Sequence, residues 1–330
     1  LYALLLHQCI KAKNVAHGHS HNILMVQTKF NKQAKQSFIA CVSIIFICLL
    51  TYGILTTSAQ SVPVHPFYSE VESKHTTQII AYRGGSGLWP ENTLYAFQQS
   101  EAIGSNAIQI DVRISLDNTL VAMHDSTVER TTNGFGAVNQ LNLTELQNLD
   151  AGYQWSQDAG TTFKYRGQGI TIPTIAEVFA EIDSMRIYVD IKDDDFFPAN
   201  LLCMNIRNYN MAQKVLVSSD NDVVLEHFRE TCPEIATAAS DKEQKVFTAL
   251  NAAFLTPIYS PSFHLVKLPP IWYGLRLITP NLVQSAHLRG LRVHAVNINK
   301  SDQMELMIQQ GIDGVVTGYP NLAIEAINAN

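Results

Sequence analysis

Ala81-Tyr82-Arg83-Gly84-Gly85-Ser86-Gly87-Leu88-Trp89-Pro90-Glu91-Asn92-Thr93 reads as a short buried strand running straight into a glycine-rich loop that carries Arg83 and Glu91. A helical pattern over 93–103 follows, so strand, charged loop and helix form one βα unit. The unit recurs along the chain. β-rich runs are expected as strands at 78–82, 107–112, 120–124, 187–191, 214–218, 235–239, 291–296 and 314–317, with a weaker ninth candidate at 259–266. Helices are expected at 175–182, 199–209, 222–231, 241–253, 281–289, 301–310 and 320–328. Thr174 and Ser301 read as N-caps, and Gly290 and Gly311 as helix ends. The Gly-, Gln- and Thr-rich stretch 150–171 reads as a surface insertion. Eight strands alternating with helices predict an α/β fold, a TIM-type (β/α)8 barrel over residues 77–330.

The barrel is preceded by a hydrophobic leader, residues 1–59, and a Pro-containing linker, 60–76. Residues 38–55 are an uncharged apolar or small-residue run, preceded by Lys29, Lys32 and Lys35 and followed by Thr57-Ser58-Ala59. That order predicts a secretory signal, cleaved after the small residues or retained as an anchor. Met25 would start a signal of ordinary length, which would leave His17, His19 and His21 outside the protein. Either outcome predicts an exported protein, periplasmic, secreted or anchored outside the cytoplasm. The first 59 residues hold five Lys and no acid, so removing their charge from the overall −6 leaves the body at −11. An acidic body argues against nucleic acid as a partner. Of the five cysteines, Cys203 and Cys232 lie in the body, where they can form one disulfide or stand as two buried thiols.

Active residues of such a barrel sit at the C-terminal ends of strands. Tyr82-Arg83, Gln109 and Asp111, His124-Asp125, Asp190 and Lys192, Ser218-Ser219 and Asn297 all take that position. Gln109 and Asp111 are two apart and so share a strand face, with Ile108 and Ile110 on the other. Asp190 and Lys192 repeat the device.

The segment Tyr82-Arg83-Gly84 followed by Pro90-Glu91-Asn92-Thr93 resembles the opening signature of the glycerophosphodiester phosphodiesterase family, where a histidine stands in place of Tyr82. His124-Asp125 with Arg130-Thr131-Thr132-Asn133-Gly134 resembles the family's second-histidine segment, and the likeness extends from about residue 79 to 322. The resemblance implies a (β/α)8 barrel that hydrolyses glycerophosphodiesters to glycerol 3-phosphate and an alcohol with help from a divalent cation. It implies His124, Arg83 and Tyr82 as catalytic groups, Lys192 and Asn297 as substrate-binding groups, and Glu91, Gln109, Asp111 and Asp190 around the metal. Hard oxygen donors of this kind suit Ca²⁺ or Mg²⁺. Gln109 stands where the family has glutamate, which predicts a weakened cation site. Tyr82 is a poor base at neutral pH, since a phenol titrates near pH ~10. Further departures are His294-Ala295 and Gly318, where the family has an aromatic residue and a carboxylate. Two readings follow: an impaired exported phosphodiesterase acting on a small phosphodiester or lysophospholipid-like substrate, or a catalytically inactive relative that binds such a group or a surface partner. A lyase forming a cyclic phosphate is a third. Membrane contact is expected only through an uncleaved leader.

Overall fold

The computed structural model describes residues 22–68, 77–182 and 184–328, with the side chains of the first helix described from Ala34 onward. His17, His19, His21, Cys9 and the second half of the expected linker lie outside these residues. The chain divides into two units, 1–58 and 59–330. In the first, a helix spans Asn22–Ser58, longer than the expected apolar run. Its Ala34–Ser58 part is long and apolar enough to cross a membrane, and signal sequences have the same character.

The second unit is built on eight parallel strands. They are β1 (Gln78–Ala81), β2 (Ala107–Ile114), β4 (Arg186–Ile191), β5 (Val215–Ser219), β6 (Ala236–Thr237), β7 (Leu265–Leu268), β10 (Arg292–Val296) and β11 (Gly314–Thr317). Their order is β6-β5-β4-β2-β1-β11-β10-β7, and a parallel bridge between Ala238 and Leu265 brings the two outer strands together. This is the expected barrel, with one exchange of members. Leu120–Ala122 (β3) was expected in the wall, but it folds back antiparallel on the end of β2, pairing Leu120 with Ile114. The eighth wall strand is β7, which begins six positions after the start of the weak ninth candidate. Two short exposed strands, β8 (Ile271–Trp272) and β9 (Leu275–Arg276), form a hairpin after it.

Side-chain alternation sorts the layers. Ile108, Ile110, Ile187 and Val189 face outward into a core shared with the helices Ile175–Glu181, Phe196–Asn208 and Asp222–Thr231. The alternate residues Ile80, Ala107, Tyr188, Leu216 and Val316 fill the interior. Phe67 and Tyr68, in the segment expected as a linker, pack into the same interior cluster and are 0% and 3% exposed. Arg186, the first residue of β4, donates its Nε to Phe67 O at 2.7 Å, so this aromatic pair closes the barrel at its N-terminal end. The ribbon leading to it is held by Gln60 N donating to Ser260 Oγ (3.0 Å) and Val62 N donating to Arg289 O (2.9 Å). Gly290, at φ 76°, has no room for a side chain because the Val62 carbonyl lies against it.

Helix starts follow local chemistry. Thr174 and Glu177 form a capping box, as do Ser240 and Glu243. Ser301 does not cap: it lies inside its helix, and the N-cap position is Lys300, whose side chain makes no cap bond. A helix at Leu143–Gln147, capped by Asn142, was not anticipated in the sequence. Cys203 and Cys232 form a disulfide with Cα atoms 6.1 Å apart.

Candidate active site

The loop after β1 folds back over the C-terminal rim because three successive residues turn left-handed: Arg83, Gly84 and Gly85 have φ of 50°, 77° and 83°. Gly84 is needed there, since a Cβ would meet the Phe97 ring at 2.6 Å. Arg83 holds its strained conformation through bonds in several directions. Its backbone N donates to Gln109 Oε1 (3.0 Å), Nη1 donates to Glu91 Oε1 (2.9 Å), and Nε lies 2.9 Å from Asp111 Oδ2. The guanidinium also sits 4.6 Å over the Tyr82 ring. Asn92, at φ 56°, ties the same loop to β2, accepting from Asp111 N and donating to Asp111 Oδ2, both at 3.1 Å.

Along β2 the inward pair meets as period two requires. Gln109 Nε2 donates to Asp111 Oδ1 at 3.0 Å. The amide orientation is fixed by its partners: the Arg83 N–H needs an acceptor, so Oε1 faces it and the NH₂ faces the carboxylate. Beyond β4, Lys192 Nζ donates to Asp190 Oδ2 (2.8 Å) and to Asp220 Oδ2 (3.1 Å), and stands 3.7 Å from Asp111 Oδ1. Ser218, on β5, donates to Asp190 Oδ1 (3.1 Å) and accepts from Lys267 Nζ (2.9 Å) on β7. A cavity of 310 Å³ opens over this floor, lined among others by Tyr82, Gln109, Asp190, Ser218, Lys267 and Asn297.

His124 lies just past β3. Its Nδ1 is 2.6 Å from Asp125 Oδ1, and an ionised carboxylate can only accept, so Nδ1 carries a proton, which in the neutral ring leaves the lone pair on Nε2. Arg130 links this pair to the loop, with Nε donating to Asp125 Oδ2 (2.5 Å) and Nη2 and Nη1 donating to Glu91 Oε1 (2.7 Å) and Oε2 (2.9 Å). The sequence motif contained Asp125 and Arg130, but their role as the bridge from His124 to Glu91 becomes visible only in three dimensions. Lys267 was missed altogether.

Burial and charge set the protonation states. Burial alone would raise Asp125, but hydrogen bonds from Arg130 and His124 outweigh it and bring the carboxyl to about 2. Glu91 is likewise pushed up by burial and pulled further down by Arg130 and Arg83. Asp190 is held below the usual carboxylate range by Lys267 and Lys192 against its own desolvation. Burial pushes the Tyr82 hydroxyl up, so it remains a phenol at neutral pH. Tyr82 thus keeps an O–H to donate.

Glu91, Gln109, Asp111 and Asp190 do reach one rim, but as arranged they present hydrogen-bonded pairs rather than a cluster of open oxygens to a divalent cation. All six carboxylate oxygens of Glu91, Asp111 and Asp190 already face protein N–H or O–H donors. Gln109 turns an N–H, which cannot ligate, toward Asp111. Among the described residues the group of three or more acids, cysteines or histidines close enough to share an ion is Cys203, Cys232 and Glu234, and its two sulfurs are bonded to each other. His294 and Ala295 are 1% and 0% exposed, with His294 inside the barrel near Tyr188. Gly318 approaches the glycine loop closely, accepting from Gly87 N at 3.0 Å.

Residues 83–322 match the Glycerophosphoryl diester phosphodiesterase family. A glycerophosphodiester phosphodiesterase of Caldanaerobacter subterraneus subsp. tengcongensis is 30% identical over 257 residues, covering 76% of this chain and 98% of the relative. One of Bacillus subtilis is 26% identical over 252 residues, covering 74% and 84%. Among solved structures, an Oleispira antarctica phosphodiesterase in complex with the product sn-glycerol-3-phosphate superposes with a TM-score of 0.60 at 25% identity, covering 78% of this chain and 99% of that one. A glycerophosphodiester phosphodiesterase of Agrobacterium tumefaciens gives 0.62 at 20% identity, with 76% and 100% covered, a likeness of fold.

Proposed function

The chain belongs to the glycerophosphoryl diester phosphodiesterase family, and from that premise we propose that its barrel mouth cleaves small glycerophosphodiesters to glycerol 3-phosphate and an alcohol, at a rate lowered by Tyr82 and Gln109. The observation that carries the reading is the His124–Asp125 pair, which in the neutral ring leaves Nε2 as a base, with Arg130 bonded to the same Asp125. In the reaction, His124 Nε2 takes a proton from water, the water oxygen bonds to phosphorus, and the P–O bond to the alcohol breaks. Tyr82, kept protonated by burial, donates to the leaving oxygen. Arg83 and Lys192 face the phosphoryl oxygens, and Asn297 faces the substrate's hydroxyl groups.

Members of the family generally use a divalent cation, which neutralises phosphoryl charge when bound. The weakened Ca²⁺ or Mg²⁺ site expected here has no part in the steps above, because the oxygens of Glu91, Gln109, Asp111 and Asp190 are engaged by protein donors. The Gln109 N–H on Asp111 also favours a second reading, a phosphodiester-binding relative without turnover. Export through the Ala34–Ser58 helix belongs to the same proposal, as a cleaved signal or an anchor.

The test is release of glycerol 3-phosphate from glycerophosphocholine and glycerophosphoethanolamine by the full chain in detergent, beside His124→Ala. Loss of one general base lowers turnover by ~10²–10⁴. Release that drops on that scale supports the enzyme; no release above the variant, from folded protein, favours the binding reading.

A further inference from the structure

We propose that fixed side-chain cations have replaced the divalent ion in this barrel mouth, with Lys267 of β7 and Lys192 beyond β4 as the charges that meet a phosphate. Around the rim Arg83, Arg130, Lys192 and Lys267 pair with Glu91, Asp111, Asp125 and Asp190, and the two further carboxylates that line the cavity, Asp220 and Asp241, are mostly exposed. The further partner of Lys192, Asp220, has 78% of its side chain exposed and is solvated. Asp190 is gripped from both sides, by Lys192 directly and by Lys267 through Ser218. One of the three Lys267 N–H donors goes to Ser218, and the other two belong to a side chain lining the 310 Å³ cavity. An ammonium there supplies a point charge suited to phosphate.

Gln109 is the residue on which this state turns. As the neutral amide it bridges Arg83 and Asp111, accepting from one and donating to the other. A glutamate at 109 would set two carboxylate oxygens at that 3.0 Å contact, and the repulsion is relieved by recruiting a cation. The Gln109–Asp111 contact is a hydrogen-bond complement rather than a pair of oxygens, whatever the turnover. The assignment of phosphate to the two lysines rests on the phosphodiester reading above.

The experiment is calorimetric titration of the full chain in detergent with Ca²⁺, Mg²⁺ and Mn²⁺, then with sn-glycerol 3-phosphate in the presence and absence of chelator. Wild type is expected to show no saturable cation uptake below about 1 mM, the weak end of protein sites. Gln109→Glu is expected to gain uptake at least ~10-fold tighter, consistent with an added ligand charge. Binding of sn-glycerol 3-phosphate should be indifferent to chelator and fall about 10-fold in Lys267→Met, the scale of one lost charge-assisted contact. Saturable Ca²⁺ or Mg²⁺ uptake by wild type below about 1 mM, or loss of sn-glycerol 3-phosphate binding on chelation, overturns the proposal. Should Gln109→Glu fail to fold, the wild-type titration and Lys267→Met still decide it. Chelator-indifferent, Lys267-dependent binding without turnover would sustain the proposal while refuting the enzymatic reading.

Discussion

Replacing Cys203 and Cys232 together by alanine tests the packing between two helices of the outer layer. Cys203 lies on Phe196–Asn208 and Cys232 directly follows Asp222–Thr231, a sequence separation of 29. Both are buried, at 2% and 0%, among Leu202, Ile206, Leu225 and Phe228. Closing a loop of that length in the unfolded chain is worth about 3.6 kcal/mol by the chain-entropy relation. Unfolding entropy of roughly 2.1 cal/mol/K per residue, taken over the barrel unit, converts this to a melting shift of ~6 °C. Lost sulfur packing adds to it, so ~6 °C is a floor. The assay is differential scanning calorimetry of wild type and double variant, each with and without reductant. In reductant the wild type should approach the variant, because its unfolded chain is then equally free. A double variant melting within ~2 °C of wild type under oxidising conditions would refute the argument, as would folded wild type whose two cysteines both alkylate.

Two further outcomes follow from the barrel interior. Burial brings His294 to about 4, below its ordinary 6.5, so the folded state refuses a proton that the unfolded state accepts. Its stabilising contribution is complete above pH ~6.5 and is lost as pH falls toward 4, by about 3 kcal/mol; His264 behaves alike, so urea unfolding of His294→Asn should show a shallower slope across that window than wild type. Phe67→Ala empties the barrel floor and should lower stability by about 3–5 kcal/mol in guanidinium unfolding, whereas a true linker residue would leave it unchanged.

Period two was enough to place Gln109 and Asp111 inward and Ile108 and Ile110 outward, because a strand's faces are fixed by its pleat. It could not tell a wall strand from a flap. Leu120–Ala122 is as apolar as its neighbours, since it too is covered on both sides, but its partner is the end of β2 rather than a second wall strand. The true eighth strand, Leu-Val-Lys-Leu, was obscured by the lysine at 267, a residue type read as solvated until the barrel turns it onto Ser218. Phe67 and Tyr68 were hidden for a related reason: nothing in a Pro-containing stretch after an apolar helix announces that two aromatics fill a chamber built by strands far downstream. The motif residues were legible individually, and their pairing was not. The link from His124 through Asp125 and Arg130 to Glu91 depends on how one loop folds over another.

The neighbours of β1 fix an order of events during synthesis. On one side Ile80 meets Ala107, only a short helix away, while on the other Gln78 meets Gly314, 314 − 78 = 236 positions downstream. At translation rates of roughly 5–20 residues per second the second edge waits roughly 10–50 s for its partner to exist. Until then the strand presents open backbone donors and acceptors, and Phe67 and Tyr68 have no chamber to enter. Early completion of the barrel is therefore denied to this chain by its topology. The strand that opens the barrel in sequence therefore gains its second neighbour only when the last strand of the barrel has been made.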